Sequence, residues 1–123
     1  MLSAQWLAYN HAIMAATTQV EQSRLDEMVR RIVEAVNPLR IILFGSAARG
    51  EARPGSDLDV MVVMPEGTPQ LETAQALYMR MADMGAAVDI LVATPGQLAR
   101  HANTVGLIYR EIAREGRTIY AAQ

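Results

Sequence analysis

The sequence predicts an α/β fold: a mixed β-sheet of three or more strands with helices packed on it. Three observations lead there. Ile41–Phe44, Leu58–Met64 and Ala87–Val92 are short apolar runs bounded by turn residues, the pattern of buried strands. Leu25, Met28, Val29, Ile32, Val33 and Val36 recur at the spacing of an amphipathic helix. A helix-length segment separates the second and third apolar runs, which makes a crossover unit and sets those two strands parallel.

The elements come in this order along the chain. Residues 3 to about 18 read as a helix with Leu2, Trp6, Leu7, Ile13 and Met14 as packing positions. Residues 1–20 are thus a helical extension of a single domain spanning 1–123, and Trp6 is either core or an anchor for a partner subunit. Ser23 caps the clearer helix, whose first turn holds Asp26 and Glu27 where the helix dipole favours them. Asn37-Pro38 ends it. Strand one comes next, then a polar loop with Arg49, Arg53, Pro54 and Gly55, then strand two. Pro65, Gly67 and Pro69 make a turn. The next helix, from about Pro69 to Met84, buries Leu71, Ala74, Leu77, Tyr78 and Met81, and Gly85 closes it. Strand three is succeeded by Thr94-Pro95, a cap and a proline at the first helical position, opening a helix to about Asn103. A further helix over Val105 to Glu115 packs through Leu107, Ile108, Ile112 and Tyr109 and stops at Gly116. Arg117 to Ala121 reads as a short last strand.

Composition narrows the function. A chain of 123 residues, 51% hydrophobic, is long enough for a real core. No apolar run is long enough to span a bilayer. The start lacks the positive region of a secretory signal. The absence of cysteine excludes disulfides and thiolate–zinc sites, so cytoplasm is the default compartment. A net charge of −2 argues against an extended nucleic-acid footprint, while a single nucleotide held through metal stays compatible. The eight methionines read as core filler, although Met-rich faces also serve adaptable contacts.

The chemistry concentrates between Leu39 and Val63. Gly45-Ser46 lies directly after strand one; ten residues later comes Asp57-Leu58-Asp59 at the start of strand two. Alternate strand residues share a face, so Asp57 and Asp59 direct hard oxygen ligands at one volume, as magnesium prefers. Gly45 lets the backbone approach a phosphate, and Ser46 can open a short helix with free N–H groups. Each part also has a plain reading: in/out alternation, an ordinary turn, and solvated arginines. Asp89 adds a charge inside the third apolar run, where it is costly unless paired, metal-bound or wet at the strand end. Parallel pairing brings it to the end of the sheet that holds Asp57 and Asp59. If Gly45 and Asp57 belong to one site, strand one runs antiparallel to strand two. His11 and His101 lie far apart with no ligand partners at metal spacing.

The whole segment, G-S-x10-D-x-D, resembles the signature of the polymerase-beta-type nucleotidyltransferase superfamily, and most of all its minimal nucleotidyltransferase (MNT) family. The resemblance is close from about Leu25 to Val63 and looser to Tyr120. It implies that Asp57, Asp59 and Asp89 hold two magnesium ions, with Asp89 also a candidate general base. It implies that Gly45 and Ser46 hold the triphosphate of ATP and that Arg49 and Arg53 contact phosphate or acceptor. It further implies an antitoxin that transfers AMP to a tyrosine of a HEPN-domain toxin. Two alternatives stand beside this: neutralisation of the toxin by binding alone, and transfer to a small hydroxyl compound, against which the short chain argues. The N-terminal segment and the methionines are compatible with a homodimer or a hetero-oligomer.

Overall fold

The computed structural model describes residues 21–51, 53, 55–104 and 107–123. The expected helix over residues 3–18, Trp6 and His11 lie outside them. Residues 21–36 form α1. Then come β1 (Arg40–Phe44), α2 (Gly45–Ala48), β2 (Leu58–Val63), α3 (Gln70–Met81), β3 (Val88–Ala93), α4 (Pro95–His101), α5 (Ile108–Glu115) and β4 (Arg117–Ala121). The sheet order is β3-β2-β1-β4. β1 runs antiparallel to β2 and β4, and β2 runs parallel to β3, so the sheet is mixed as the sequence predicts.

Both faces of the sheet are covered, which is why β1 and β2 are apolar almost throughout. On one face Met28 and Ile32 of α1 and Leu77 and Met81 of α3 pack on Ile41, Leu43, Leu58, Val60, Val62, Val88, Ile90 and Val92. On the other, Ile112 of α5 packs with Ile42, Phe44, Met61, Val63 and Ala93, flanked by Leu98 and Tyr109. Asn37 takes a left-handed φ of 49° and its N–H donates to the Val33 carbonyl at 3.0 Å, which ends α1. Arg31 ties α1 to α3 by donating to the Arg80 carbonyl at 2.9 Å and to the Asp83 carboxylate. The Thr94 cap is as expected: Thr94 N–H donates to Gln97 Oε1 at 3.0 Å, and Gln97 N–H to Thr94 Oγ1 at 3.4 Å.

Several expectations need correction. Ser23 lies inside α1 and is no cap, because the helix already runs at residue 21. Leu71 and Tyr78 are exposed, at 72% and 45%. The buried stripe of α3 is centred on Ala74, Leu77 and Met81, and at 3.6 residues per turn Leu71 and Tyr78 sit roughly 70–90° round the helix from it. Tyr78 has its own task there. Its hydroxyl accepts from the Ile90 N–H at 2.9 Å, closing a backbone donor on the edge strand β3. Leu107 and Ile108 are also exposed, since α5 starts only at Ile108 and turns Ile112 into the core. Among the methionines Met28, Met61, Met64 and Met81 are core, whereas Met79 is 81% exposed.

Candidate active site

Three strand ends meet at one end of the sheet. Phe44, the last residue of β1, pairs with Asp59 of β2, and Asp59 pairs with Asp89 of β3. The N–H of Leu58 donates to the Ala87 carbonyl at 3.0 Å, which locks the start of β2 to the start of β3. Strand alternation then places Asp59 and Asp89 on the sheet face that carries Met61 and Ala93, and Asp57 one step before them on the same side. Asp59 is half-buried; Asp57 and Asp89 are exposed.

The chain leaves β1 through Gly45, whose φ of +72° suits glycine and little else. A Cβ at this position would lie 3.2 Å from Cγ of Asp59 and closer still to Oδ2. The missing side chain thus gives the Asp59 carboxylate its room. Ser46 sits next in the first turn of α2, half-buried, in a helix of four residues in all.

Electrostatics single out Asp59. Its pKa is raised, first by burial, then by the charge and hydrogen-bonding contact of Asp89, then by the charges of Asp57 and Glu111. Like charges gathered at a half-buried strand end are a poor arrangement for a protein alone and a good one for a hard divalent cation. Asp59 and Asp89 fit such an ion as oxygen donors. Among the described residues no three carboxylates or imidazoles stand close enough together to ligate one ion; Asp59 has a hydrogen-bonding contact with Asp89 and only a charge effect from Asp57, which makes Asp57 the looser member of the trio.

The arginines are less simple than their spacing suggests. Arg49 caps α2, and its guanidinium donates to Glu51 at 3.0 Å, Glu111 at 3.5 Å and Glu115 at 3.4 Å. Arg53 is exposed; its N–H donates to Ser56 Oγ and its carbonyl accepts from the Ser56 N–H, both at 2.9 Å. Two residues that sequence reasoning passed over join the site. Arg24 of α1 pairs with Glu21 at 2.8 Å and donates to the Ser56 carbonyl at 3.4 Å, steadying the loop just before Asp57. Glu111 of α5 meets both Arg49 and the field of Asp59. Neither is signalled locally, because both act across long sequence separations.

Residues 25–117, which hold every element from most of α1 to the first residue of β4, match the nucleotidyltransferase domain family. The chain belongs to that family. As a nucleotidyltransferase-domain protein it shares its fold with several solved structures. A candidate nucleotidyltransferase from Sulfolobus solfataricus superposes with a TM-score of 0.60 at 17% identity, over 87% of this chain and 86% of that one. A candidate minimal nucleotidyltransferase does so with a TM-score of 0.52 at 26% identity, over 82% of this chain and 93% of the other. A variant of the toxin–antitoxin pair MntA–HpeT gives 0.51 at 22% identity, over 80% and 72%. A comparison with curated proteins finds none that matches. Among the described residues no helix of this nucleotidyltransferase-domain protein is long and apolar enough to cross a membrane.

Proposed function

We propose that this chain transfers AMP from ATP to a hydroxyl acceptor, a tyrosine of a HEPN-type toxin, and so acts as a cytoplasmic antitoxin by adenylylation. The observation that carries the reading is the pairing of Asp59 with Asp89 beside the Gly45 turn. Family membership supports the transferase chemistry. The likeness to an MntA–HpeT structure supports the fold; a toxin as partner is inferred from that pair's being a toxin–antitoxin, and its HEPN type rests on the sequence resemblance alone.

In this reading the backbone at Gly45 and Ser46 holds the triphosphate, and the exposed Arg53 contacts phosphate or acceptor. The acceptor oxygen forms a bond to the α-phosphorus while the bond from that phosphorus to the bridging oxygen breaks, and the electron pair leaves with pyrophosphate. In this reading Asp89, exposed at the strand start, takes the acceptor proton. Magnesium held by Asp59, Asp89 and Asp57, two ions in this reading, would supply charge neutralisation for the phosphates.

One observation favours a second reading, neutralisation by binding alone: Arg49, a candidate phosphate contact, is engaged by α5 carboxylates. The test measures label from α-labelled ATP on the toxin, together with toxin ribonuclease activity, for wild type and Asp57→Ala/Asp59→Ala. Labelling and protection by wild type only, with ATP and magnesium, are expected. Full protection by the double variant without nucleotide would overturn the catalytic reading.

A further inference from the structure

Arg49 lies four residues past the Gly45 turn, and its guanidinium is already spoken for. Glu111 and Glu115 stand four apart on α5, so they share one helix face, and both accept from Nη1 of Arg49 at 3.5 and 3.4 Å. Glu111 is half-buried and adds its charge to the field around Asp59. One carboxylate of α5 thus connects the strand-end acids with the cation that ends α2.

We propose that Glu111 and Glu115 are positioning residues that hold Arg49 in the nucleotide-free protein and compete with bound polyphosphate for it, so that α5 sets the affinity for nucleotide. The substrate class, a nucleoside triphosphate, rests on the proposed nucleotidyl transfer. Phosphate oxygens match the guanidinium fork as well as carboxylates do. The Arg49, Glu111 and Glu115 side chains are 37%, 41% and 48% exposed, so the existing pairs are weak and readily exchanged. Glu51, two residues away in the chain, stays with Arg49 in either state. Withdrawing Arg49 from Glu111 leaves a further carboxylate, after Asp89 and Asp57, acting on Asp59 with less counter-charge. Polyphosphate binding thereby increases the pull of the strand end on a divalent cation, and the two ligands bind cooperatively.

The experiment is calorimetric titration of wild type, Glu111→Gln/Glu115→Gln, Arg49→Gln and the triple variant. Each is titrated with ATP and magnesium, and separately with inorganic tripolyphosphate. All three substitutions are at exposed or half-buried surface positions, and an unchanged Tm certifies the fold. The carboxamide pair is expected to bind both ligands about three- to tenfold more tightly than wild type, the worth of two exposed ion pairs. In the Arg49→Gln background the same two changes should give no gain. Equal affinity of wild type and the carboxamide pair would overturn the proposal, as would failure of that pair to bind tripolyphosphate at millimolar concentration. A gain that persists without Arg49 would also overturn it, since only general charge removal would then be at work. Tighter tripolyphosphate binding with no ATP binding by any variant would uphold the competition and sink the nucleotidyl-transfer reading instead.

Discussion

Gly45 and Asp59 divide one volume between them: the Cβ that Gly45 lacks would lie on the carboxylate that Asp59 projects. The turn and the acid are therefore a single design, although thirteen residues lie between them in the chain. Gly45→Ala should cost about 1–2 kcal/mol through its left-handed φ alone. It should also push the Asp59 side chain aside and weaken binding of ATP with magnesium. Denaturant unfolding and calorimetry on one preparation check both parts; unchanged nucleotide affinity would separate the turn from the site.

Asp59 is half-buried with its carboxyl pKa raised by desolvation and by Asp89, so its ionised form costs stability at neutral pH. Asp59→Asn removes that charge at nearly constant shape. The expected outcome is a higher Tm at pH 7 together with a fall in AMP transfer of about 10³-fold or more, because phosphoryl transfer depends on charge neutralisation. A lower Tm would show that the carboxylate is better compensated than its neighbours imply.

On the proposed reading ATP and magnesium together should raise the Tm more than either alone, since an ion held by the carboxylates would also neutralise the triphosphate. At a hundredfold excess over Kd the gain is about 2.7 kcal/mol. Asp57→Ala tests the looser member of the trio and should remove most of that gain. A thermal shift identical to wild type would take Asp57 out of the metal site.

Glu27 shows the opposite sign from Asp59. It accepts from Arg30 and Arg31 on α1, and those hydrogen bonds lower its pKa to about 2. A depressed carboxyl stabilises the fold above its unfolded pKa, near 4.5, and loses that contribution as pH falls through about 2. Glu27→Gln should thus lower the Tm slightly at pH 7, by an amount that salt reduces and that shrinks as pH falls from about 4.5 toward 2. A difference independent of pH would assign the effect to packing.

The sheet was legible because its signals are local or come from connectivity. Apolar runs mark β1, β2 and β3, and a helix between β2 and β3 requires them to be parallel. That one inference brings Asp89 to Asp59 from the sequence alone. The helix flanks were not legible in the same way. Periodicity shows that α3 has a stripe, but the width of the contact with the sheet decides whether Leu71 and Tyr78 fall inside it. Ser23 resembles a cap because a cap is recognised by the helical residues after it, whereas α1 has already begun two residues earlier. Arg24 and Glu111 carry no pattern at all: their partners, Ser56 and Arg49, are 32 and 62 residues away.

The three acids depend on two separate strand pairings. Asp57 and Asp59 are in place once β2 pairs with β1, but Asp89 arrives only when α3 has crossed over and β3 has docked in parallel register. Parallel pairing is the slow, non-local kind, since its loop must close before any contact rewards it. A nascent chain that has emerged only through Gly85 therefore carries the acid pair without its third member. Acquisition of Asp89 coincides with completion of the β2–β3 ladder, so on the proposed reading the acids are assembled when β3 docks, before β4 adds to the free edge of β1.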